Sequence, residues 1–275
     1  MHLKANKFSG SGNEIILIDF LIQKGSISSG DVKKIVKTGQ ANFDQLIAIE
    51  PPSNKETDLK VKIFNQDGSE AENCVNGARC LGKYVFDSAL IPKKKFVVET
   101  DAGEWKIISH PDNEYSVQLK PPNFETGLDS LPKPNKKNRY DLILSNCTLE
   151  VIVVNLGNPH AIIFDVNIFE KPLEDWGKEL QNSQYFPDGV NLSLAEIVTT
   201  NKINLRVFER GVGETRSCGS GACAAVVAGN KEKRLKNKVE VNFKMGKLVI
   251  KYEENKRFLT ARGRADFLEK LTLEI

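Results

Sequence analysis

The sequence predicts a duplicated α+β fold, in which two similar domains each wrap a mixed or antiparallel sheet around one central helix. The first observation is a pair of matching cysteine segments around Cys74 and Cys218, whose offset of 144 residues is close to half of the 275-residue chain. The second is that runs of strand-like sequence surround the helix-like stretch that follows each of these two cysteines. The length also exceeds that of a usual single domain.

Short apolar runs bounded by turn residues predict the strands of the first half. These strands are expected at residues 15–19, 45–50, 59–64, 96–99, 104–109 and 115–119. Helices are expected at residues 31–38 and from Gly77 to about residue 89, before Pro92. The Pro- and Lys-rich segment 120–138 predicts a linker. We therefore expect domains at 1–119 and 120–263, with a C-terminal tail, 264–275, that returns to the first domain.

The second half repeats this plan. Strands are predicted at residues 142–144, 149–154, 161–164, 190–194, 203–208, 238–243, 247–252 and 257–260, and helices at 176–181 and from Gly221 to about residue 230. A turn at residues 157–160 separates two of the strands.

Composition and charge exclude several classes of protein. The net charge of +3 is too small to indicate a nucleic-acid partner. No apolar run approaches the ~20 residues that span a bilayer, and the N-terminus lacks the apolar core of a signal peptide. We therefore expect a cytoplasmic protein with no membrane partner.

The five cysteines are too few, and odd in number, for a disulfide scaffold. Cys80, Cys147 and Cys223 are interpreted as small core residues. The spacing of the cysteines differs from the C-x2-4-C pairs of zinc sites, so no metal is predicted.

Cys74 and Cys218 are each followed by small residues and then by a predicted helix. A helix N-terminus lowers the pKa of a cysteine, because unpaired N–H groups and the helix dipole favour the thiolate. The same N–H groups bind carboxylates. Glycines after each cysteine, such as Gly77 and Gly221, allow the backbone to approach a substrate closely.

Two such thiols can invert the α-carbon of an amino acid. A thiolate on one face removes the proton, a thiol on the other face returns one, and no cofactor is needed. The pair would titrate together. The alternatives are two buried structural cysteines, a thiol redox or metal-binding protein, and a cysteine hydrolase with His160 as base. The hydrolase explains one cysteine and leaves the duplication unexplained.

The motifs resemble the diaminopimelate epimerase family. The resemblance spans essentially the whole chain and rests on the following segments: Gly10-x-Gly12-Asn13, Asn65-x-Asp67-Gly68-Ser69-x-Ala71-x-x-Cys74-x-Asn76-Gly77-x-Arg79-Cys80, Gly157-Asn158-Pro159-His160, Gly189-Val190-Asn191, and Glu209-Arg210-Gly211-x-Gly213-Glu214-Thr215-x-x-Cys218-Gly219-Ser220-Gly221-Ala222-Cys223.

The resemblance implies an isomerase that interconverts LL- and meso-diaminopimelate, without pyridoxal phosphate or another cofactor, for lysine and peptidoglycan synthesis. It implies a homodimer, and two domains of like fold related by a pseudo-twofold axis. Cys74 and Cys218 would be the acid and base, with His160 and Glu209 as auxiliary ionisable groups.

The resemblance also implies two sets of substrate-binding residues, one for each end of the substrate. The distal end of the substrate would be held by Asn65, Asn158, Asn191 and Arg210, and the reacting end by Asn13, Gln45, the Val75 amide, Asn76, Glu209, Gly219 and Ser220. An arginine suits a second carboxylate because its guanidinium binds carboxylates in bidentate geometry.

The chain departs from the family pattern at three places. Val75 replaces the usual Gly after the first cysteine, residues 40–43 read Gln-Ala-Asn-Phe in place of Gly-x-Gly-Ala, and residues 260–263 read Thr-Ala-Arg-Gly in place of Thr-Gly-Pro-Ala. The first two keep open a racemase of another amino acid on the same scaffold. The retained distal-end residues argue against that alternative.

Overall fold

A computed structural model describes residues 1–71, 73–101, 103–119, 121–124 and 128–275. The chain forms two compact units. The first unit comprises Met1–Leu119 and Arg262–Ile275, and the second comprises Lys120–Ala261. The return to the first unit thus begins two residues before the tail expected at 264. Residues 120 and 125–127 of the predicted linker lie outside the described residues.

The first unit is a mixed sheet with two helices. Its elements are β1 (His2–Gly10), β2 (Asn13–Asp19), α1 (Ser29–Lys37), β3 (Gln45–Glu50), β4 (Leu59–Asn65), α2 (Val75–Asp87), β5 (Lys95–Thr100), β6 (Gly103–His110) and β7 (Glu114–Leu119). Along β1 to β6 the strand pairs alternate: antiparallel, parallel, antiparallel, parallel, antiparallel. β7 adds a further antiparallel pair.

The second unit repeats this succession with two additional short strands. Its elements are β8 (Tyr140–Ile143), β9 (Thr148–Asn155), β10 (Pro159–Phe164), α3 (Leu173–Gln181), β11 (Asn191–Thr199), β12 (Lys202–Glu209), β13 (Gly213–Thr215), α4 (Gly219–Lys231), β14 (Lys238–Phe243), β15 (Gly246–Glu253) and β16 (Phe258–Arg264). The last three residues of β16 belong to the first unit. The pairs β9–β10, β10–β11, β11–β12, β12–β14 and β14–β15 alternate in the same order as those of the first unit. The predicted duplication is therefore visible in the sheet topology.

The helices α2 and α4 are the buried helices of their units. Residues 75–85 of α2 are all buried, and so are residues 221–229 of α4. A helix that is buried around its circumference belongs inside a core, in contrast to a surface helix with one apolar stripe. Cys80 and Cys223 lie in these helices with no exposed surface, as expected.

Three strands were missing from the sequence prediction, one of which is the three-residue strand β13. β1 and a C-terminal strand, β17 (Asp266–Glu274), pair with each other in antiparallel register from His2↔Glu274 to Ser9↔Asp266. Both contain several charged residues, so neither carries a strong strand signal alone. Each is stabilised by a partner more than 250 residues away in sequence.

Two smaller expectations were wrong. Cys147 lies half-buried between β8 and β9, at the edge of the apolar cluster of the second unit, and is not a core residue. The described part of the predicted linker packs on the second unit, where Asn123 and Asn155 exchange two backbone hydrogen bonds of 2.8 Å. None of the helices among the described residues is both long and apolar enough to cross a bilayer.

Candidate active site

Cys74 and Cys218 are the N-cap residues of α2 and α4. Each has extended backbone, and each sulfur accepts a hydrogen bond from the N–H of the glycine three positions later. The distance is 3.1 Å from Gly77 N to Cys74 Sγ and 3.3 Å from Gly221 N to Cys218 Sγ. This is the geometry of a capping side chain, with sulfur in place of the usual oxygen. The prediction that each thiol lies at a helix N-terminus is confirmed. Both helices begin two residues earlier than expected, because the cysteine itself caps them.

The glycine three residues after each cysteine lies against a neighbouring side chain at the start of the helix. A Cβ atom on Gly77 would lie 2.5 Å from Ile47 Cδ1 and 2.9 Å from Cys74 Sγ. A Cβ atom on Gly221 would lie 3.0 Å from Val207 Cγ2. The first motif is therefore the more tightly packed of the two.

The protonation of Cys218 differs from the expectation for a helix N-terminus. Burial raises the pKa of the Cys218 thiol well above its ordinary value, and the negative charge and hydrogen bond of Glu209 raise it further. The Gly221 N–H and the Ser220 hydroxyl lower the pKa by a smaller amount. With 3% of its surface exposed, the side chain gains less from the helix end than it loses by desolvation. Cys218 is thus a neutral thiol beside a carboxylate.

The predicted site residues of the first unit form two amide pairs. Asn76 Nδ2 donates to Asn13 Oδ1 at 3.0 Å, and Gln45 Nε2 donates to Asn65 Oδ1 at 2.9 Å. Asn13 follows a tight β1–β2 turn in which Ser11 and Gly12 both have positive φ, as a two-residue type I′ hairpin requires. The other pair is set by the sheet, because Gln45 and Asn65 are partners in the β3–β4 register.

In the second unit, His160 on β10 is the register partner of Asn191 on β11. His160 Nε2 lies 3.1 Å from Asn158 Oδ1, and Asn191 Oδ1 accepts the backbone N–H of Arg210 at 2.9 Å. Burial lowers the pKa of His160 to about 3, and the positive charge of Arg210 contributes to this shift. His160 is therefore a neutral imidazole at physiological pH.

Glu209 is the last residue of β12, and Arg210 begins the turn that follows. The Glu209 carboxylate accepts a hydrogen bond from the Thr215 hydroxyl, and it also interacts with Cys218. Arg210 Nη1 donates to the Asp188 carbonyl at 3.1 Å. Thr215 and Asp188 were absent from the predicted site, although the position of Thr215 in the second motif gave a signal for it.

The predicted residues thus form four groups, and the contacts of each group lie within a single unit. The first unit contains Asn13 with Asn76 and Gln45 with Asn65. The second unit contains Glu209 beside Cys218, and a larger group of Asn158, His160, Asn191 and Arg210. Val75, Gly219 and Ser220 lie in the first turns of the two capped helices. Among the described residues, no three His, Cys, Asp or Glu side chains are grouped in a way that could hold a metal ion.

Comparison with known proteins connects this arrangement to one family. The family model for diaminopimelate epimerase matches residues 5–125 and 152–268. The chain is 36% identical over 270 residues to the diaminopimelate epimerase of Teredinibacter turnerae, covering 97% of this chain and 98% of that protein. It is also 36% identical over 252 residues to the enzyme of Azotobacter vinelandii, covering 91% of each.

Solved structures share the fold at low sequence identity. A phenazine biosynthesis protein of the PhzF family from Bacillus anthracis matches with a TM-score of 0.71 and 16% identity, covering 100% of both chains. A hydroxyproline epimerase from Agrobacterium vitis matches with a TM-score of 0.69 and 12% identity, covering 99% of this chain and 92% of that one. The predicted fold class, two similar α+β domains each with a central helix, is confirmed.

Proposed function

Because the chain belongs to the diaminopimelate epimerase family, we propose that it interconverts LL- and meso-2,6-diaminopimelate. The observation that carries the proposal is the repeated helix-capping thiol. Each of two units with the same strand order presents one cysteine sulfur to the N–H groups of a buried helix. We propose that the two units, 1–119 with the C-terminal tail and 120–263, are the two epimerase domains.

In this mechanism Cys74 and Cys218 act on one α-carbon of the substrate. When Cys74 is the base, its thiolate takes the α-proton and becomes a thiol. The Cys218 thiol then gives its proton to the opposite face and becomes a thiolate. The reverse reaction exchanges these roles, so each thiol must reach both protonation states. No cofactor takes part, and the reaction is independent of pyridoxal phosphate.

Glu209 supports the neutral state of Cys218. A carboxylate beside the sulfur disfavours a second negative charge, which keeps Cys218 ready to donate a proton. When the reaction runs in the other direction, the same carboxylate accepts the Cys218 proton and generates the thiolate. His160, neutral because of its burial, contributes hydrogen bonding at the site.

The first turns of α2 and α4 supply the charge stabilisation. Negative charge that develops on the reacting carboxylate and α-carbon is stabilised by backbone N–H groups fixed before the reaction begins. We assign the reacting end of the substrate to Asn13, Gln45, Val75, Asn76, Glu209, Gly219 and Ser220. We assign the distal end to Asn65, Asn158, Asn191 and Arg210.

We further propose a cytoplasmic homodimer that serves lysine and peptidoglycan precursor synthesis. The exposed apolar side chains of Phe267 and Leu268 on β17, each 44% exposed, support burial against a second copy. Light scattering on purified protein tests the dimer, and a monomer at micromolar concentration would contradict it.

The decisive experiment for the function is replacement of each thiol. Purified Cys74→Ala and Cys218→Ala should lose epimerisation in both directions. Cys147→Ala, a half-buried cysteine outside the site, is the matched control and should retain full activity. Full turnover by either of the first two variants would reject the mechanism.

A substrate panel tests specificity. Diaminopimelate should be the only substrate epimerised among diaminopimelate, histidine, glutamate and proline. Faster turnover of a one-carboxylate or monoamino substrate would favour a racemase of another amino acid.

A further inference from the structure

Arg79 is a completely buried cation on α2, with no exposed surface. Its Nη2 donates to Asn76 Oδ1 at 2.8 Å and to Ser11 Oγ at 3.0 Å, and its Nη1 lies 3.4 Å from the Val75 carbonyl oxygen. Taking a guanidinium out of water is costly unless its donors are satisfied. A helix that needed only packing could place an apolar side chain at this position.

The hydrogen bonds that Arg79 donates determine how the Asn76 side-chain amide is oriented. A guanidinium can only donate, so the Asn76 atom that faces it must be the carbonyl oxygen Oδ1. The Asn76 amide nitrogen then faces Asn13, where it donates to Oδ1 at 3.0 Å. Because Asn13 Oδ1 must accept this hydrogen bond, the orientation of the Asn13 amide is fixed as well. One buried cation therefore sets the orientation of two amide side chains in sequence.

Arg79 also joins two separate elements. Through Ser11 it holds the β1–β2 turn, and through Val75 and Asn76 it holds the first turn of α2. These elements are in close contact, because a Cβ atom on Gly10 would lie 2.9 Å from the Asn76 carbonyl oxygen. The turn carries Asn13 and the helix carries Asn76.

We propose that Arg79 is a positioning residue for the substrate's reacting carboxylate, acting through Asn76 and Asn13. It touches no reacting atom itself. This inference rests on the proposed function, in which Asn13 and Asn76 bind the reacting end. It adds that Arg79 orients the amide donors of Asn13 and Asn76 before the substrate binds.

A double-mutant cycle on kcat/KM tests whether Arg79 acts through Asn76. Arg79→Met should lower kcat/KM by about tenfold or more in the wild-type background. In the Asn76→Ala background the same replacement should cost less than about twofold, because the group it orients is gone. Additive losses would overturn the proposal. Arg79→Lys, which keeps a buried donor, should recover part of the activity lost in Arg79→Met.

Lys83→Met is the matched control, since Lys83 is a second largely buried cation on α2 that pairs with Asp87 at 2.9 Å. It should leave kcat/KM within about twofold of wild type, and a loss as large as that of Arg79→Met would indicate a general effect on the helix and overturn the proposal.

A crystal structure of Arg79→Met, or of Arg79→Leu if the first variant does not fold, gives a readout independent of turnover. The Asn76 amide should rotate or its 3.0 Å contact with Asn13 should lengthen. An unchanged Asn13–Asn76 pair would refute the positioning role even if activity falls. Failure of the wild-type protein to epimerise diaminopimelate would instead refute the proposed function and leave this structural test intact.

Discussion

Gly77→Ala tests the packing of the first thiol. The new Cβ would lie 2.5 Å from Ile47 Cδ1 and 2.9 Å from Cys74 Sγ. Carbon atoms in contact prefer about 3.5–4.0 Å, so the Ile47 methyl group must move by about 1 Å and the sulfur by at least about 0.6 Å. The sulfur would then leave its position against the Gly77 N–H.

The energetic consequence follows from two opposing effects. Overpacking of this kind costs about 1–3 kcal/mol, whereas alanine in place of glycine in a helix returns up to about 1 kcal/mol. We expect a net loss in unfolding free energy of about 1–2 kcal/mol. Since a misplacement near 1 Å can cost about 100-fold in rate, kcat should fall by about 10- to 100-fold.

Gly221→Ala is the internal control, because its Cβ meets Val207 at 3.0 Å and Cys218 only at 3.4 Å. Its unfolding free energy should remain within about 0.5 kcal/mol of wild type, since the helix gain offsets a small adjustment. Urea denaturation and chiral separation of LL- and meso-diaminopimelate measure both quantities. Wild-type turnover in Gly77→Ala, or a greater loss in Gly221→Ala, would refute this reasoning.

Three further predictions concern charge and loop anchoring. Glu209→Gln removes a negative charge that raises the pKa of Cys218, so iodoacetamide should alkylate Cys218 faster at neutral pH, and a slower rate would contradict the assignment. Burial lowers the pKa of His160 to about 3 in the folded protein, so between about pH 6.5 and pH 4 this histidine binds a proton only in the unfolded chain. The wild-type protein should therefore lose unfolding free energy as the pH falls through this range. In His160→Gln that loss should be smaller by up to about 1.4 kcal/mol per pH unit. An unchanged slope in urea titrations would contradict this. Gln40→Ala removes a side chain that exchanges two hydrogen bonds with the backbone of β17, and its control Gln23→Ala removes one that does the same with β1. Each should lower the unfolding free energy in urea denaturation by about 1–3 kcal/mol. Only Gln40→Ala should raise KM, because Gln40 connects β17 to the loop before Gln45, the predicted site residue on β3. Equal KM values in the two variants would refute that link.

Several features could be predicted because the signal is local. The placement of Cys74 and Cys218 at helix starts follows from the small residues after each cysteine, and the structure confirms it. The strand runs with alternating or continuous apolar residues were also found, with boundaries shifted by a few residues. The repeated cysteine motif and the strand-like runs around it in each half together predicted the duplicated fold.

Other features depend on contacts that a sequence does not display. β1 and β17 pair across nearly the whole chain length, so neither is recognisable without the other. The high pKa of Cys218 depends on how completely the folded unit excludes water, which overrides the helix terminus. Arg79 stood within a recognised motif, but its role became visible only with its three contacts to Ser11, Val75 and Asn76.

The destination of the substrate's α-proton tests the central claim most directly. LL-diaminopimelate is incubated with the wild-type enzyme in deuterated water without added cofactor, and the meso product is analysed by mass spectrometry at early times. Proton removal by one thiol and return by another predicts one deuterium in the product, at the inverted carbon only, with unlabelled remaining substrate. A product that retains the original proton, or that carries deuterium at both α-carbons, would contradict the account.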